Sequence, residues 1–137
     1  MGKKRERRGF TLIELMVVIL IVGILTAVAV PILRGKNEAA KWSEAAATAG
    51  TIRTSVRAKF AEDPTTIGKW KKQPLNPPTR ATLGFTSGDL TGRYFKANNF
   101  RIASVDANGN ATITATAPAG LTGRGQLDSA NGWVYTP

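Results

Sequence analysis

The hydrophobic and polar positions divide the chain into three stretches. From Leu15 to Leu33 there is no charged residue, and Thr26 is the only polar side chain. At the rise of an α-helix this stretch covers roughly 28 Å, close to the hydrocarbon thickness of a bilayer. It is apolar all round, so a small protein core cannot hide it. It must lie in lipid or against other subunits. In residues 34–62 the pattern changes. Trp42, Ala45, Ala49, Ile52, Val56 and Phe60 recur every three or four positions, which predicts one apolar stripe of an amphipathic helix. The opposite, solvent-facing side would carry Lys41, Glu44, Thr48, Arg53, Arg57 and Lys59. Gly50 weakens this helix by about 1 kcal/mol relative to Ala, and Glu62-Asp63-Pro64 marks its end. Pro31 need not break the pattern, so one helix can run from about Phe10 to Phe60, about 75 Å along its axis.

The third stretch loses helical periodicity. Residues 63–99 are rich in Pro and Gly and predict a connecting loop with short turns or strands. In residues 100–137, Phe100, Ile102, Ser104 and Asp106 alternate with Arg101, Ala103 and Val105. Asn108-Gly109 follows, and then Ala111 to Thr116. Two β-rich runs around Asn-Gly predict a hairpin. A weaker second hairpin runs from Gln126-Leu127-Asp128 through Asn131-Gly132 to Trp133-Val134-Tyr135. The predicted fold class is α+β: a long N-terminal helix, its first half transmembrane, packed on an antiparallel sheet of three or four strands.

The 137 residues suit one small domain plus an anchor. The absence of Cys and His excludes disulfides, thiolate zinc sites and the usual general base near neutral pH. The sequence carries no adjacent nucleophile and base, no phosphate-cradling glycine loop and no metal-ligand spacing, which argues against an enzyme. Asp106, Asn108 and Asn110 supply oxygens of the kind a calcium loop uses. The Asn-Gly turn accounts for the same residues, however, and no bidentate Glu follows, so no cofactor is expected and calcium is the one alternative. The net charge is +10, and residues 1–9 concentrate it in Lys3, Lys4, Arg5, Arg7 and Arg8 against Glu6. Positive flanks stay cytoplasmic, so the N-terminus should face inward and the chain after Leu33 outward. The remaining basic residues are scattered. Lys69, Lys71 and Lys72 flank Trp70, but a solvated loop with a packed Trp explains them better than a nucleic-acid contact.

Three readings compete for the N-terminus. It can be a plain signal anchor. It can be a secretory signal peptide cut after Ala29 at Ala27-Val28-Ala29, releasing a soluble binding protein. The third reading rests on Gly9, Phe10 and Glu14. Glu14 stands in the first turns of the apolar segment, where an unpaired charge costs a few kcal/mol. A plain anchor or signal peptide has no use for it; the alternative is that Glu14 lies near enough to the interface to stay wet.

The stretch GFTLIELMVVILIVGILTAVAVPIL resembles the N-terminal signature of type IV prepilins and type II secretion pseudoprepilins. The resemblance covers about residues 5–35. It implies a basic leader, Met1–Gly9, removed by a prepilin peptidase that cuts between Gly9 and Phe10 and methylates the new Phe10 amine. It implies that Glu14 is the assembly glutamate, pairing with that amine on a neighbouring subunit, and that Pro31 loosens the helix near residues 27–31. The implied organisation is leader 1–9, transmembrane and polymerisation helix 10–33, amphipathic helix 34–62, connecting region 63–99 and sheet 100–137. The implied location is the inner membrane and then a pilus or pseudopilus. The implied partners are the chain itself, minor pilins or pseudopilins, the peptidase, the assembly platform and membrane lipid. The Tyr-Pro motif that many secretion pseudopilins carry after the helix is absent.

Overall fold

The computed structural model describes residues 9–128, 130 and 132–137, with the side chains of Thr66 and Ile67 also outside the description. Helix α1 spans Leu12–Glu62. By compactness the chain falls into two units, one ending at Asn37 and one running from Glu38 to Pro137. The second unit, the head, contains the rest of α1. It then has a 3-10 turn at Pro64–Thr66, α2 at Ile67–Trp70, β1 at Gln73–Pro74 and α3 at Pro77–Thr82. After a further 3-10 turn come β2 at Phe100–Val105, β3 at Ala111–Thr116, β4 at Arg124–Asp128 and β5 at Gly132–Thr136. The sheet is an antiparallel meander in the order β1-β2-β3-β4-β5.

The fifth strand is one more than the pattern predicts. β1 pairs Gln73 with Ile102 and Pro74 with Arg101 at the sheet edge, where a proline without an N–H is tolerated. The region 63–99 is also more ordered than a connecting loop. Asn76 caps α3 by accepting from the Thr79 N–H at 3.1 Å, and prolines occupy the first helical positions, where no N–H is needed. Trp70, Leu75, Leu83, Leu90 and Phe95 from this region are buried in the core, which decides the question about Trp70 in favour of packing.

The core lies between the 42–56 stripe of α1 and one face of the sheet. Trp42, Ala45, Ala49, Ile52 and Val56 are buried, and Phe60 is half-buried at the end of the stripe. Facing them are Phe100, Ile102 and Val105 of β2 and Ala111, Ile113 and Ala115 of β3. Strict alternation would have turned Val105 outward and Ser104 inward. A register shift between Ile102 and Ser104 reverses the phase, so that Val105 is buried and Ser104 exposed. Trp42 is the centre of an aromatic cluster, with ring centroids 5.0 Å from Phe95, 4.9 Å from Tyr135 and 6.3 Å from Trp133. Gly125 on β4 leaves the space into which the Trp42 and Trp133 rings close.

Two residues assigned by periodicity to the solvent face of α1 do otherwise. The Arg53 Nε donates to the Ala111 carbonyl at 3.0 Å, tying helix to sheet. Glu44 is half-buried, and its carboxylate accepts from the backbone N–H groups of Arg93, Tyr94 and Phe95 at 3.1, 3.0 and 2.8 Å. The helical wheel placed both correctly away from the stripe. It could not show that the chain between α3 and β2 folds back over that side.

Candidate functional site

The site is the beginning of α1. Gly9, Phe10 and Thr11 precede the helix, and Phe10 is exposed. Thr11 and Glu14 bond reciprocally across the first turn. Glu14 Oε2 accepts from both the Thr11 N–H and the Thr11 Oγ1 at 3.0 Å, and the Glu14 N–H donates to Thr11 Oγ1 at 3.2 Å. This is a capping box, in which two donors that the helix start leaves unmet find partners. The signature Thr-x-x-Glu ahead of an apolar run is plain in the sequence, yet Glu14 read as an oddity in an apolar segment hides it. Both bonds to Glu14 end on Oε2, so the carboxylate can cap its own helix and still offer Oε1 to a cation.

From residue 12 to residue 37 every side chain is exposed within the chain. Phe10 and the large apolar residues up to Leu33 form a continuous surface far larger than a soluble monomer normally presents. The stretch is long and apolar enough to cross a membrane. The Thr26 hydroxyl donates to the Val22 carbonyl at 2.7 Å, so the one polar side chain is satisfied within the helix, as an apolar medium requires. The helix runs through Pro31 without interruption. The proline has no N–H to give the Ala27 carbonyl, which leaves a weak point in the bonding ladder at residues 27–31. The leader expected at residues 1–9 lies outside the described residues except for Gly9.

The other sequence candidates lie elsewhere and do not converge on this segment. Asp106, Asn108 and Asn110 form the turn between β2 and β3. The Asp106 carboxylate accepts from the N–H groups of Asn108 and Asn110 at 2.9 and 2.8 Å and from Asn110 Nδ2 at 3.2 Å. These bonds, led by the Asn110 N–H and helped by the charge of Arg57, hold the Asp106 carboxyl below its ordinary range. Gly109 supplies the left-handed backbone of the turn with φ +79, and a side chain there would also collide with Phe60. The Asp106 carboxylate and the Asn110 amide thus bond within their own turn. Among the described residues no group of three carboxylates gathers that could hold a metal.

Comparison with known proteins agrees with this picture of the N-terminus. A family model described as the prokaryotic N-terminal methylation motif matches residues 4–30. The chain is 34% identical over 110 residues to the type IV major pilin protein PilE1 of Neisseria gonorrhoeae, covering 80% of this chain and 57% of the pilin. It is 34% identical over 113 residues to the fimbrial protein EcpC of Eikenella corrodens, covering 82% of this chain and 64% of that protein. Over 81 residues it is 36% identical to the type II secretion system core protein G of Dickeya chrysanthemi, covering 55% of this chain and 53% of the relative. The chain therefore spans less than two thirds of the length of each.

Proposed function

Starting from a chain that carries the prokaryotic N-terminal methylation motif and is homologous to type IV pilins and a type II secretion pseudopilin, we propose that this protein is a structural filament subunit. It is inserted in the membrane as a precursor, cleaved between Gly9 and Phe10, methylated on the Phe10 amine and assembled through its N-terminal helix into a pilus or pseudopilus. The observation that carries this reading is the uncharged, wholly exposed stretch from Leu15 to Leu33, opened by a capped turn holding a single carboxylate at Glu14. Lipid can solvate that surface before assembly, and the same surface of other subunits can replace the lipid afterwards. The exchange conserves apolar contact, so direction and stagger must come from polar groups. Cleavage creates a positive amine at Phe10. Glu14 of an adjacent subunit offers the matching charge in a medium of low dielectric, where an unpaired ion is costly.

The role is structural, and the chemistry is done on the chain rather than by it. The partners are further copies, related minor subunits, the processing peptidase, an assembly platform and membrane lipid. The N-terminus lies on the cytoplasmic side of the inner membrane and the head outside, as the basic run before the segment favours. The weak point at Pro31 lets the helix extend where packing in a filament demands it.

The testing experiment is mass spectrometry of the N-terminus of the protein isolated from membranes. A species beginning at N-methylated Phe10 is expected. A species beginning at Val30, the product of a conventional signal peptidase, would overturn the proposal, since it lacks Glu14 and all of the apolar stretch before Val30.

A further inference from the structure

The solvent face of the sheet, opposite α1, carries a charge pattern that neither filament formation nor the core explains. Arg101 on β2 is directly paired with Thr114 on β3, and Arg124 on β4 with Thr116. The two arginines thus stand on one face, separated by a pair of threonines. Together with Asn98 and Asn99 they line an open cleft of about 370 Å³. A second cleft, of about 380 Å³, adjoins it through Asn98 and adds Arg80 and Lys96. A third, of about 620 Å³, continues from Thr116 and Arg124 along Gln126 to Thr136. The run therefore holds four cations. No acid lines the first two clefts, and Asp128 lines only the third. Among the described residues the one salt bridge is Lys59 to Glu62, so none of these four cations has a salt-bridge partner among those residues. Arg80 lines the second cleft, and its buried Nε has no hydrogen-bond partner among the described residues.

We propose that this run of clefts binds an acidic polysaccharide, with carboxylate- or sulfate-bearing sugar units. The arginines supply paired donors whose fork matches a carboxylate or sulfate. The threonine hydroxyls and the Asn and Gln amides between them match neutral sugar hydroxyls. A nucleic-acid strand fits less well. The clefts contain no exposed aromatic ring on which bases could stack, because Phe100, their only aromatic residue, is buried in the core. A linear ligand suits three clefts that share lining residues better than one small anion does. The site does not depend on the filament reading, because every residue in it belongs to the head.

The test uses the full-length protein in a neutral detergent and immobilised polygalacturonate, with neutral dextran as control. Binding to polygalacturonate, none to dextran, and steep weakening between about 50 and 500 mM salt are expected. Arg101→Gln with Arg124→Gln should weaken binding by about tenfold, since each loses a charge-assisted contact. Arg57→Gln with Lys59→Gln, which removes as much charge from α1 on the opposite side of the sheet, should leave affinity within about twofold. Circular dichroism melting of both variants verifies that the fold is kept, as expected for surface positions. Absence of binding, or equal losses in the two variants, overturns the proposal. Binding of mixed-sequence duplex DNA at least as tight, and equally sensitive to the two arginine substitutions, reassigns the clefts to nucleic acid and overturns it as well.

Discussion

The carboxylate of Glu44 lies 2.8 Å from the backbone N–H of Phe95, spanning 51 residues of sequence, and takes the two preceding N–H groups as well. One side chain on α1 thereby fixes the chain that leads into β2. Replacement of Glu44 by Ala would leave three backbone donors without their acceptor, at a cost of about 1–3 kcal/mol. Thermal melting should show a fall of several degrees, and limited proteolysis should cut first between Leu90 and Phe95. An unchanged melting temperature and digestion pattern would show that water substitutes for the carboxylate.

Gly92 stands against the same carboxylate, and an added Cβ would strike Glu44. Gly92→Ala should therefore destabilise the wild type, yet cost little once Glu44 is already Ala. A double-mutant cycle on melting free energies is expected to give a coupling of about 1 kcal/mol or more. Simple additivity would mean that the two residues act independently.

Glu14 has two roles that substitution can separate. Gln keeps the capping box but removes the charge, whereas Ala removes both. If the charge pairs with the Phe10 amine of a neighbour, both variants should insert in the membrane and neither should form filaments by electron microscopy. Normal filaments from Glu14→Gln would assign the residue to capping alone.

Acid should loosen the turn between β2 and β3. Asp106 has a folded-state pKa lowered from about 3.8 by the Asn110 N–H and its other bonds. A carboxyl so depressed contributes stability that is present above the unfolded pKa and lost as pH falls through the folded one. The melting temperature should therefore decline below about pH 4. Asp106→Asn should be less stable at neutral pH and show a shallower decline in acid. Asp63 and Asp89, lowered chiefly by bonds to Thr65 and Thr86, contribute in the same direction and should leave a residual slope.

Gly125→Ala tests the aromatic cluster. A methyl group there meets the Trp133 ring and Trp42, with no open space beside it. The expected cost is about 1–3 kcal/mol, with altered tryptophan fluorescence. Wild-type stability and emission would mean that the rings can part without loss.

What local pattern could reveal was revealed where the cause is local. The spacing of Trp42, Ala45, Ala49, Ile52 and Val56 follows from the period of one helix, and Asn108-Gly109 follows from the geometry of one turn. The apolar run to Leu33 is likewise readable along the chain, and the roles proposed for Gly9, Phe10, Glu14 and Pro31 come from the resemblance of the sequence around it. The failures have non-local causes. β1 is two residues long and contains Pro74, so nothing in its own sequence marks it as a strand. It exists because β2 offers an open edge. The inward turn of Val105 depends on a bulge that alternation cannot anticipate. Glu44 and Arg53 resemble solvent-facing charges until the groups that meet them, from residues 93–95 and from Ala111, arrive from distant parts of the chain. The Asn76 cap and the Thr11–Glu14 box are a different case, since both had readable signatures.

The contact of Trp42 with Tyr135 brings the first buried residue of the head against its last strand. Loop closure of that length must be completed before the reward of burying the largest ring in the core is collected. During vectorial synthesis the apolar stripe of α1 is made first and stays uncovered until β2 and β3 have emerged, and its Trp42 end waits for β5. The meander can zip hairpin by hairpin, but it gains its floor only when the helix docks. The head should therefore assemble in one late cooperative step, and throughout the delay its helix is a target for whatever binds exposed apolar surface.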